Sequence, residues 1–215
     1  MLQNDLAEQV ERQPRLGQVR SVAGIDVSVR DDLARAAVVV LEFEGLIPTH
    51  YAVANRPVIF PYVPGLLAFR EGPVVLDALE RLGTSPDLLI FDGQGLAHPR
   101  RLGIASHIGL LVDLPAIGCA KSRLCGWHDE LAREPGSYMP LLDDGEVIGA
   151  VLRTRRNVKP VYVSIGHRVD LATSIRYVLA CCRGYRLPET TRWAHRVAGG
   201  DAPPLHGQQA MRFDL

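Results

Sequence analysis

Two apolar segments of this chain each carry an aspartate where a buried strand normally has none. Residues 22–29 predict a strand with Asp26 in its interior, and residues 88–91 predict a buried strand that Asp92 follows directly. Aspartate is depleted in strands, and a buried carboxylate costs free energy unless it is paired or binds a metal. If the two strands are neighbours in one sheet, Asp26 and Asp92 are close enough to share a hard divalent cation such as Mg²⁺.

The spacing of these aspartates leaves a second interpretation open. Asp26 would then face solvent on an edge strand, and Asp92 would begin an ordinary turn. The glycines that follow Asp92, at Gly93 and Gly95, let the backbone come close to a ligand, but they also suit a plain turn. Pattern alone does not decide between a metal site and a solvated surface.

The first third of the chain predicts a short helix and an antiparallel meander. Leu2, Leu6 and Val10 repeat at helical spacing. Three strands are expected at 22–29, 36–43 and 47–54, separated by turn residues. Pro73 is then expected in the first turn of a helix that Gly83 ends.

Strand and helix patterns alternate in the rest of the chain. Strands are expected at 88–91, 116–120, 147–152 and 161–164, with helices at 104–112 and from an Asp170 cap to about Cys182. A meander followed by strand–helix–strand units predicts an α/β fold, a mixed sheet of antiparallel and parallel strands flanked by helices. Because no linker divides the chain, we expect a single domain over residues 1–198 and a loose tail over 199–215.

Composition restricts the class of protein. A hydrophobic content of 47% and a charged content of 22% are ordinary for a soluble globular domain. The N-terminus lacks a signal-peptide pattern, and no apolar run is long enough to span a bilayer. The four cysteines lack paired Cys-x-x-Cys spacing, and the adjacent Cys181 and Cys182 are expected to be reduced core thiols. These features predict a cytoplasmic protein without a membrane partner, and we expect a monomer.

The distribution of charge matters more than its sum. The formal net charge is zero, which is unusual for a protein that binds nucleic acid. Basic residues are nevertheless concentrated in two segments, and they can form a local phosphate-binding face. The first flanks the proposed site and contains Arg100, Arg101, Lys121 and Arg123; the second contains Arg153, Arg155, Arg156 and Lys159.

Four motifs connect these residues to a known family. They are Pro-Tyr-Val-Pro-Gly-Leu-Leu-Ala-Phe-Arg-Glu-Gly-Pro at 61–73, Phe-Asp-Gly-Gln-Gly-Leu-Ala-His-Pro-Arg at 91–100, Leu-Gly-Ile-Ala-Ser-His at 102–107 and Ala-Lys-Ser at 120–122. Together they closely resemble endonuclease V, a family that nicks nucleic acid beside deaminated adenine (inosine). The resemblance extends from about Val22 to His195 and implies a ribonuclease H-like fold.

The resemblance also implies a catalytic set. Asp26 and Asp92 match the metal-binding aspartates of the family, and Glu71 matches its catalytic glutamate; together they would hold Mg²⁺, with Mn²⁺ as a substitute. Lys121 would contact the scissile phosphate, and His195 would lie at the edge of the metal site. Without the resemblance, Glu71 is a charge near a helix start, and His195 is a surface or packed residue.

A second set of residues would contact the lesion. By resemblance, residues 61–64 form a wedge that fills the gap left by an extruded base, a step that costs roughly a few kcal/mol. The alternative is a rigid turn in which Tyr62 fills the core. His98 and His107 would then be solvated or capping residues. The positions implied for the wedge and the base pocket are Pro61, Tyr62, Val63, Pro64, Gly65, Leu67, Gly93, His98, Gly103, Ile104 and His107.

The implied activity is hydrolysis of the second phosphodiester bond 3′ to deoxyinosine in DNA, leaving 3′-hydroxyl and 5′-phosphate ends. Inosine in single-stranded RNA is the alternative substrate. The arginine-rich, lysine-poor composition resembles that of GC-rich bacteria and favours DNA. Three further alternatives are another ribonuclease H-like nuclease, a non-catalytic nucleic-acid reader, and a hydrolase with a Ser or Cys nucleophile. The sequence contains no Gly-x-Ser-x-Gly elbow that would support a Ser nucleophile.

Overall fold

An eight-stranded mixed sheet forms the centre of the protein, for which a computed structural model describes residues 2–205. The strands are β1 (Ser21–Arg30), β2 (Leu33–Glu42), β3 (Ile47–Pro57), β4 (Leu88–Phe91), β5 (Ala116–Ala120), β6 (Tyr138–Asp143), β7 (Glu146–Leu152) and β8 (Val161–His167). Their spatial order is β3-β2-β1-β4-β5-β8-β7-β6. The predicted α/β class and mixed sheet are therefore confirmed.

The predicted antiparallel meander is also confirmed. β1 pairs with β2 from Ser21↔Glu42 to Arg30↔Leu33, and β2 pairs with β3. On its other side β1 pairs in parallel with β4, so β1 is an interior strand. Asp26 therefore does not lie on an edge strand, which excludes that part of the alternative interpretation.

The parallel strands determine where the functional edge of the sheet lies. β4 runs parallel to both β1 and β5, so the carboxyl ends of β4 and β5 face the same way. β8 runs antiparallel to β5, and β7 runs antiparallel to β8. The end of β7 and the start of β8 therefore reach the same edge as Asp92. We call this edge the catalytic rim.

Helices cover both faces of the sheet. The helices are α1 (Leu2–Ala7), α2 (Leu67–Arg81), α3 (Ile104–Val112), α4 (Leu171–Ala180) and α5 (Glu189–Ala198). Apolar residues of α2 and α3 pack in one core with β1–β4, and those of α4 and α5 pack in a second core with the opposite face. None of these helices is long and apolar enough to cross a membrane.

The predicted start of α2 was wrong. The helix begins at Leu67, before Pro73, which lies inside it. Proline is unfavourable there because it cannot donate to the carbonyl four residues earlier, but buried contacts at Ala68 and Gly72 support the first turns. As a consequence, Glu71 lies within the helix and not beside its start.

Two elements were absent from the sequence-based prediction. β6 is an edge strand that contains Pro140, and proline within an apolar run argues against a strand unless it lies at an edge. α5 begins with Glu189, which favours a helix, but Thr190 and Thr191 follow it and have low helix propensity. Part of the predicted loose tail, residues 206–215, lies outside the described residues; within the described part, Asp201 forms an ion pair of 2.9 Å with Arg196.

Candidate active site

The register of β1 and β4 brings the two aspartates together at the catalytic rim. Ile25 pairs with Phe91, and the Asp92 backbone N–H donates to the Ile25 carbonyl at 3.0 Å. Asp26 and Asp92 are thus the next residues on two adjacent parallel strands. Their side chains are only 12% and 9% exposed, so neither is a solvated surface carboxylate.

Glu71 adds a third carboxylate from α2. Burial is the main reason that its pKa rises to about 7, and repulsion from Asp26 and then Asp92 adds to the rise, while Arg70 opposes it. The pKa of Asp26 is raised by burial and then by Asp92, against a hydrogen bond from His195. The pKa values of Asp26 and Glu71 are thus raised by burial and by the nearby charge of Asp92, and perturbed acids of this kind cluster at functional sites.

Lys121 and His195 each contact one of the two aspartates. Lys121, directly after β5, forms an ion pair with Asp92. His195 lies on α5, and its Nδ1 donates to Asp26 Oδ2 at 2.7 Å. The imidazole and the ammonium group remain 65% and 40% exposed, so both are accessible from solvent at the rim.

The carboxylates suit a hard divalent cation by their chemistry, although their side chains do not converge. An all-oxygen donor set of this kind favours Mg²⁺ or Mn²⁺, and a cation would relieve the repulsion that raises the pKa values of Asp26 and Glu71. Within residues 2–205, however, no three His, Cys, Asp or Glu side chains are arranged to hold one metal ion. Asp92 is directed to Lys121 and Asp26 to His195 instead.

A cavity of about 290 Å³ opens beside Asp92 and Lys121. This volume is at the lower end of the range of small-molecule pockets, ~300–1,000 Å³. Its lining contains ten of the predicted site residues: Tyr62, Val63, Gly65, Leu67, Asp92, Gly93, His98, Gly103, Ile104 and Lys121. It also contains residues that the sequence did not single out for this role: Ala68, Gln94, Leu102, Ala120, Ser122, Arg123 and Leu124.

Close packing fixes the segment that follows β4, next to this cavity. The Gly95 N–H donates to Ser164 Oγ at 2.9 Å, and Leu96 N–H donates to the Ile165 carbonyl at 2.7 Å. A Cβ at Gly93 would lie 2.6 Å from Ile104 Cγ2, so the segment after β4 has no space for a side chain there. Of these residues, Gly93 and Ile104 line the cavity.

Residues 61–64 form an exposed loop at the mouth of the cavity. All four are exposed, with Tyr62 at 65%. The Arg70 guanidinium lies 5.8 Å from the centre of the Tyr62 ring. The alternative in which Tyr62 fills the core is therefore wrong. Pro61 and Pro64 adjoin the cavity but do not line it.

The Gly65 carbonyl oxygen accepts three hydrogen bonds that position this loop. The donors are Gln3 Nε2 at 3.1 Å, His98 Nε2 at 3.1 Å and Arg100 Nη2 at 2.9 Å. Gln3 is only 6% exposed, and its Oε1 accepts from Arg100 Nε. A buried glutamine on α1 gave no sequence signal for this role, because its partners lie 62 and 97 residues away.

His107 was expected to contact the lesion, but the structure places it in the protein interior. It is buried in α3, its ring is 5.3 Å from the Phe69 ring, and it does not line the cavity. The alternative of a solvated or capping histidine does not fit this position either. His107 supports the packing of α2 against α3.

His98 should make the stability of the protein depend on pH. The ring is 4% exposed, burial lowers its pKa to about 4, and its Nδ1 accepts from Arg100 N–H at 3.1 Å, which requires a neutral ring. Because the folded pKa is below the unfolded value of about 6.5, the contribution of His98 is complete above that value and is lost as pH falls toward 4.

We expect His98→Gln to reduce the loss of unfolding free energy between pH 7 and pH 4.5, measured by urea denaturation. His107 and His167, whose pKa values are also lowered by burial, are present in both proteins, so the difference in slope isolates His98. An identical slope for variant and wild type would contradict the neutral, hydrogen-bonded ring.

Comparison with known proteins identifies the family. A family model for Endonuclease V matches residues 4–196. The chain belongs to the endonuclease V family. The endonuclease V of Roseiflexus sp. (strain RS-1) is 62% identical over 182 residues, which cover 85% of this chain and 82% of that protein.

Solved endonuclease V structures share the fold. That of Streptomyces avermitilis has a TM-score of 0.87 and 44% identity, covering 92% of this chain and 89% of its own. Endonuclease V of Ciona intestinalis, in complex with a 24mer DNA containing an inosine followed by a ribo-adenosine, has a TM-score of 0.79 and 26% identity, covering 92% and 93%. The predicted ribonuclease H-like fold is confirmed, and this endonuclease V is a nuclease of a generally metal-dependent family.

Proposed function

We propose that this endonuclease V recognises deoxyinosine in DNA and hydrolyses the second phosphodiester bond 3′ to it, leaving 3′-hydroxyl and 5′-phosphate ends. One observation carries the proposal: Asp92, whose charge acts on the nearby Asp26 and Glu71, lines a cavity that also includes Gly65, Gly93, Gly103 and the exposed Tyr62. The related Ciona intestinalis protein binds DNA that contains an inosine.

The cavity suits recognition of a base without a dedicated side chain. Hypoxanthine presents a carbonyl at position 6 and an N1–H donor, whereas adenine presents the opposite pattern. Main-chain amides and carbonyls near Gly65, Gly93 and Gly103 can distinguish the two, because an unpaired buried donor or acceptor costs about 1–3 kcal/mol. In this assignment Leu67 and Ile104 supply apolar contact to the extruded base.

The three carboxylates, Lys121 and His195 would have different roles in catalysis. Asp26, Glu71 and Asp92 would hold Mg²⁺, or Mn²⁺ in its place, which when bound activates a water and stabilises the leaving oxygen. Lys121 is half-exposed beside Asp92 and can contact the scissile phosphate as a compact charge. His195 holds Asp26 in place through Nδ1 and leaves the rest of its ring open to solvent.

The decisive experiment compares matched inosine and adenine oligonucleotides in DNA and in RNA, with Mg²⁺ and with the ends of the products identified. We expect nicking of inosine-containing DNA between the first and the second nucleotide on the 3′ side of the lesion. Cleavage of inosine RNA alone would support the endoribonuclease alternative. Tight inosine binding without cleavage would support a non-catalytic reader, although all three carboxylates are present.

Tyr62→Ala should reduce discrimination for the lesion more than it reduces stability. The exposed ring has little packing to lose, whereas aromatic stacking is worth about 1–3 kcal/mol per base. We expect the inosine-to-adenine ratio of kcat/KM to fall about tenfold to a hundredfold. Ile59→Ala, in the same segment and 95% exposed, is the control and should leave the ratio unchanged. Equal ratios for Tyr62→Ala and wild type would rule out the wedge role.

The proposal includes a monomer that acts in the cytoplasm. The four cysteines are free thiols, with Cys119 and Cys181 buried. Burial raises the pKa of Cys181 to about 12, which keeps the thiol protonated and poorly reactive. Reduced, unreactive thiols are typical of that compartment.

A further inference from the structure

A basic loop lies next to Lys121 on the catalytic rim. It connects β7 to β8 and comprises residues 153–160. Leu152 at the end of β7 pairs with Val161, and Ala120 at the end of β5 pairs with Tyr162. Sheet pairing therefore places this loop on the side of Lys121 that is farther from β4. None of its residues lines the base cavity.

Hydrogen bonds from side chains to main-chain carbonyls hold the loop to the segment that carries Lys121. The Arg186 guanidinium donates both to the Lys121 carbonyl and, at 2.9 Å, to the Pro160 carbonyl. Thr154 Oγ1 donates to the Arg186 carbonyl at 2.6 Å. Arg153 closes the loop by donating to the Val158 carbonyl. Arg153 and Arg186 thus have structural roles, and the loop is a fixed extension of the segment that carries Lys121.

The remaining cations of the loop are not neutralised. Arg155, Arg156 and Lys159 are exposed, and among residues 2–205 none of them forms an ion pair. Many arginines elsewhere are paired with carboxylates: Arg12, Arg15, Arg56, Arg101, Arg168, Arg192 and Arg196. In the adjoining turn, Arg133 and Glu134 offset each other in charge. The loop is therefore a local positive patch on a chain with no net charge.

We propose that Arg155, Arg156 and Lys159 bind backbone phosphates of the cleaved strand on the 3′ side of the scissile bond. This inference depends on the proposed function, which puts the lesion in the cavity and the scissile phosphate at Lys121. Adjacent strands are ~4.8 Å apart, so the loop between β8 and β7 lies ~5–10 Å beyond Lys121. At ~3.4 Å of rise per phosphate on one strand, this distance corresponds to the next two or three phosphates.

The test is the salt dependence of binding to inosine-containing duplex DNA, measured by fluorescence anisotropy with a chelator present so that the strand is not nicked. Each phosphate contact contributes about 0.9 to the slope of log K against log salt. We expect the Arg155→Ala, Arg156→Ala, Lys159→Ala triple variant to lower the slope by about 2.7 if all three contacts are made. The ratio of the wild-type to the variant binding constant should then fall about 40-fold between 50 and 200 mM salt.

A matched triple variant controls for the loss of three charges. Arg20→Ala, Arg81→Ala and Arg176→Ala remove exposed cations that lie outside the loop and form no ion pair within residues 2–205. This control should keep a slope close to that of wild type. The double variant Arg155→Lys, Arg156→Lys keeps Lys159 and all three positive charges. Its slope should equal that of wild type, which would show that the loss of charge, and not a change in folding, lowers the slope of the alanine variant.

Substrate length tests the direction of the strand. Shortening the duplex on the 3′ side to the scissile bond should abolish the difference between the loop variant and wild type. Shortening it on the 5′ side should preserve that difference. An unchanged slope in the loop variant, an equal fall in the control variant, or a difference that survives 3′ truncation would each overturn the inference. Failure of the proposed function is a separate result, because wild type would then not nick inosine DNA with Mg²⁺.

Discussion

Asp92→Asn should lower the rate of inosine-dependent nicking by at least about 1,000-fold, equivalent to about 4 kcal/mol of transition-state stabilisation. The substitution removes the charge of a 9%-exposed carboxylate but keeps its volume. An amide is a poorer ligand for a divalent cation, and it leaves the Lys121 ammonium without its counter-charge. The measurement is single-turnover cleavage of an inosine duplex with saturating Mg²⁺.

The unfolding free energy of Asp92→Asn distinguishes an effect on catalysis from an effect on folding. Removing Asp92 also removes repulsion that raises the pKa values of Asp26 and Glu71, so the unfolding free energy should not fall in proportion to activity. Asp77→Asn is the matched control, because Asp77 pairs with Arg56 on the surface at 3.0 Å and such pairs contribute about 0–1 kcal/mol. Cleavage by Asp92→Asn at the wild-type rate would refute the catalytic assignment.

Gly24→Ala should destabilise the protein by about 3 kcal/mol or more, because overpacking against a fixed backbone is expensive. A methyl group at Gly24 would lie far inside van der Waals contact of the Thr190 carbonyl at the start of α5. Relief of this overlap requires α5 to move away from β1. Since α5 carries His195, the hydrogen bond from His195 to Asp26 should weaken as well.

Urea denaturation measures the change in unfolding free energy, and cleavage kinetics measure the effect on the site. Gly17→Ala is the control, because a Cβ there meets nothing within 4 Å. A Gly24→Ala protein as stable as Gly17→Ala would show that the close approach of α5 to β1 is not a constraint on the fold.

Much of the fold could be predicted from local pattern. Alternating and continuous apolar runs located β1, β2, β4 and β5 to within a few residues, because burial on a sheet requires such runs. The start of α2, the edge strand β6 and α5 could not be located, because contacts with other elements outweigh the local signals of Pro73, Pro140 and Thr190.

The sequence by itself determined that Asp92 directly follows a buried strand and that Asp26 interrupts another, but it left open whether Tyr62 fills the core or lies outside it. Only the tertiary structure decided which side chains meet. His195 reaches Asp26 across 169 residues, and Gln3 reaches Gly65 across 62. Such contacts depend on sheet order and helix packing. These bring together residues that are distant in sequence, and the local sequence around one residue does not predict its contact with the other.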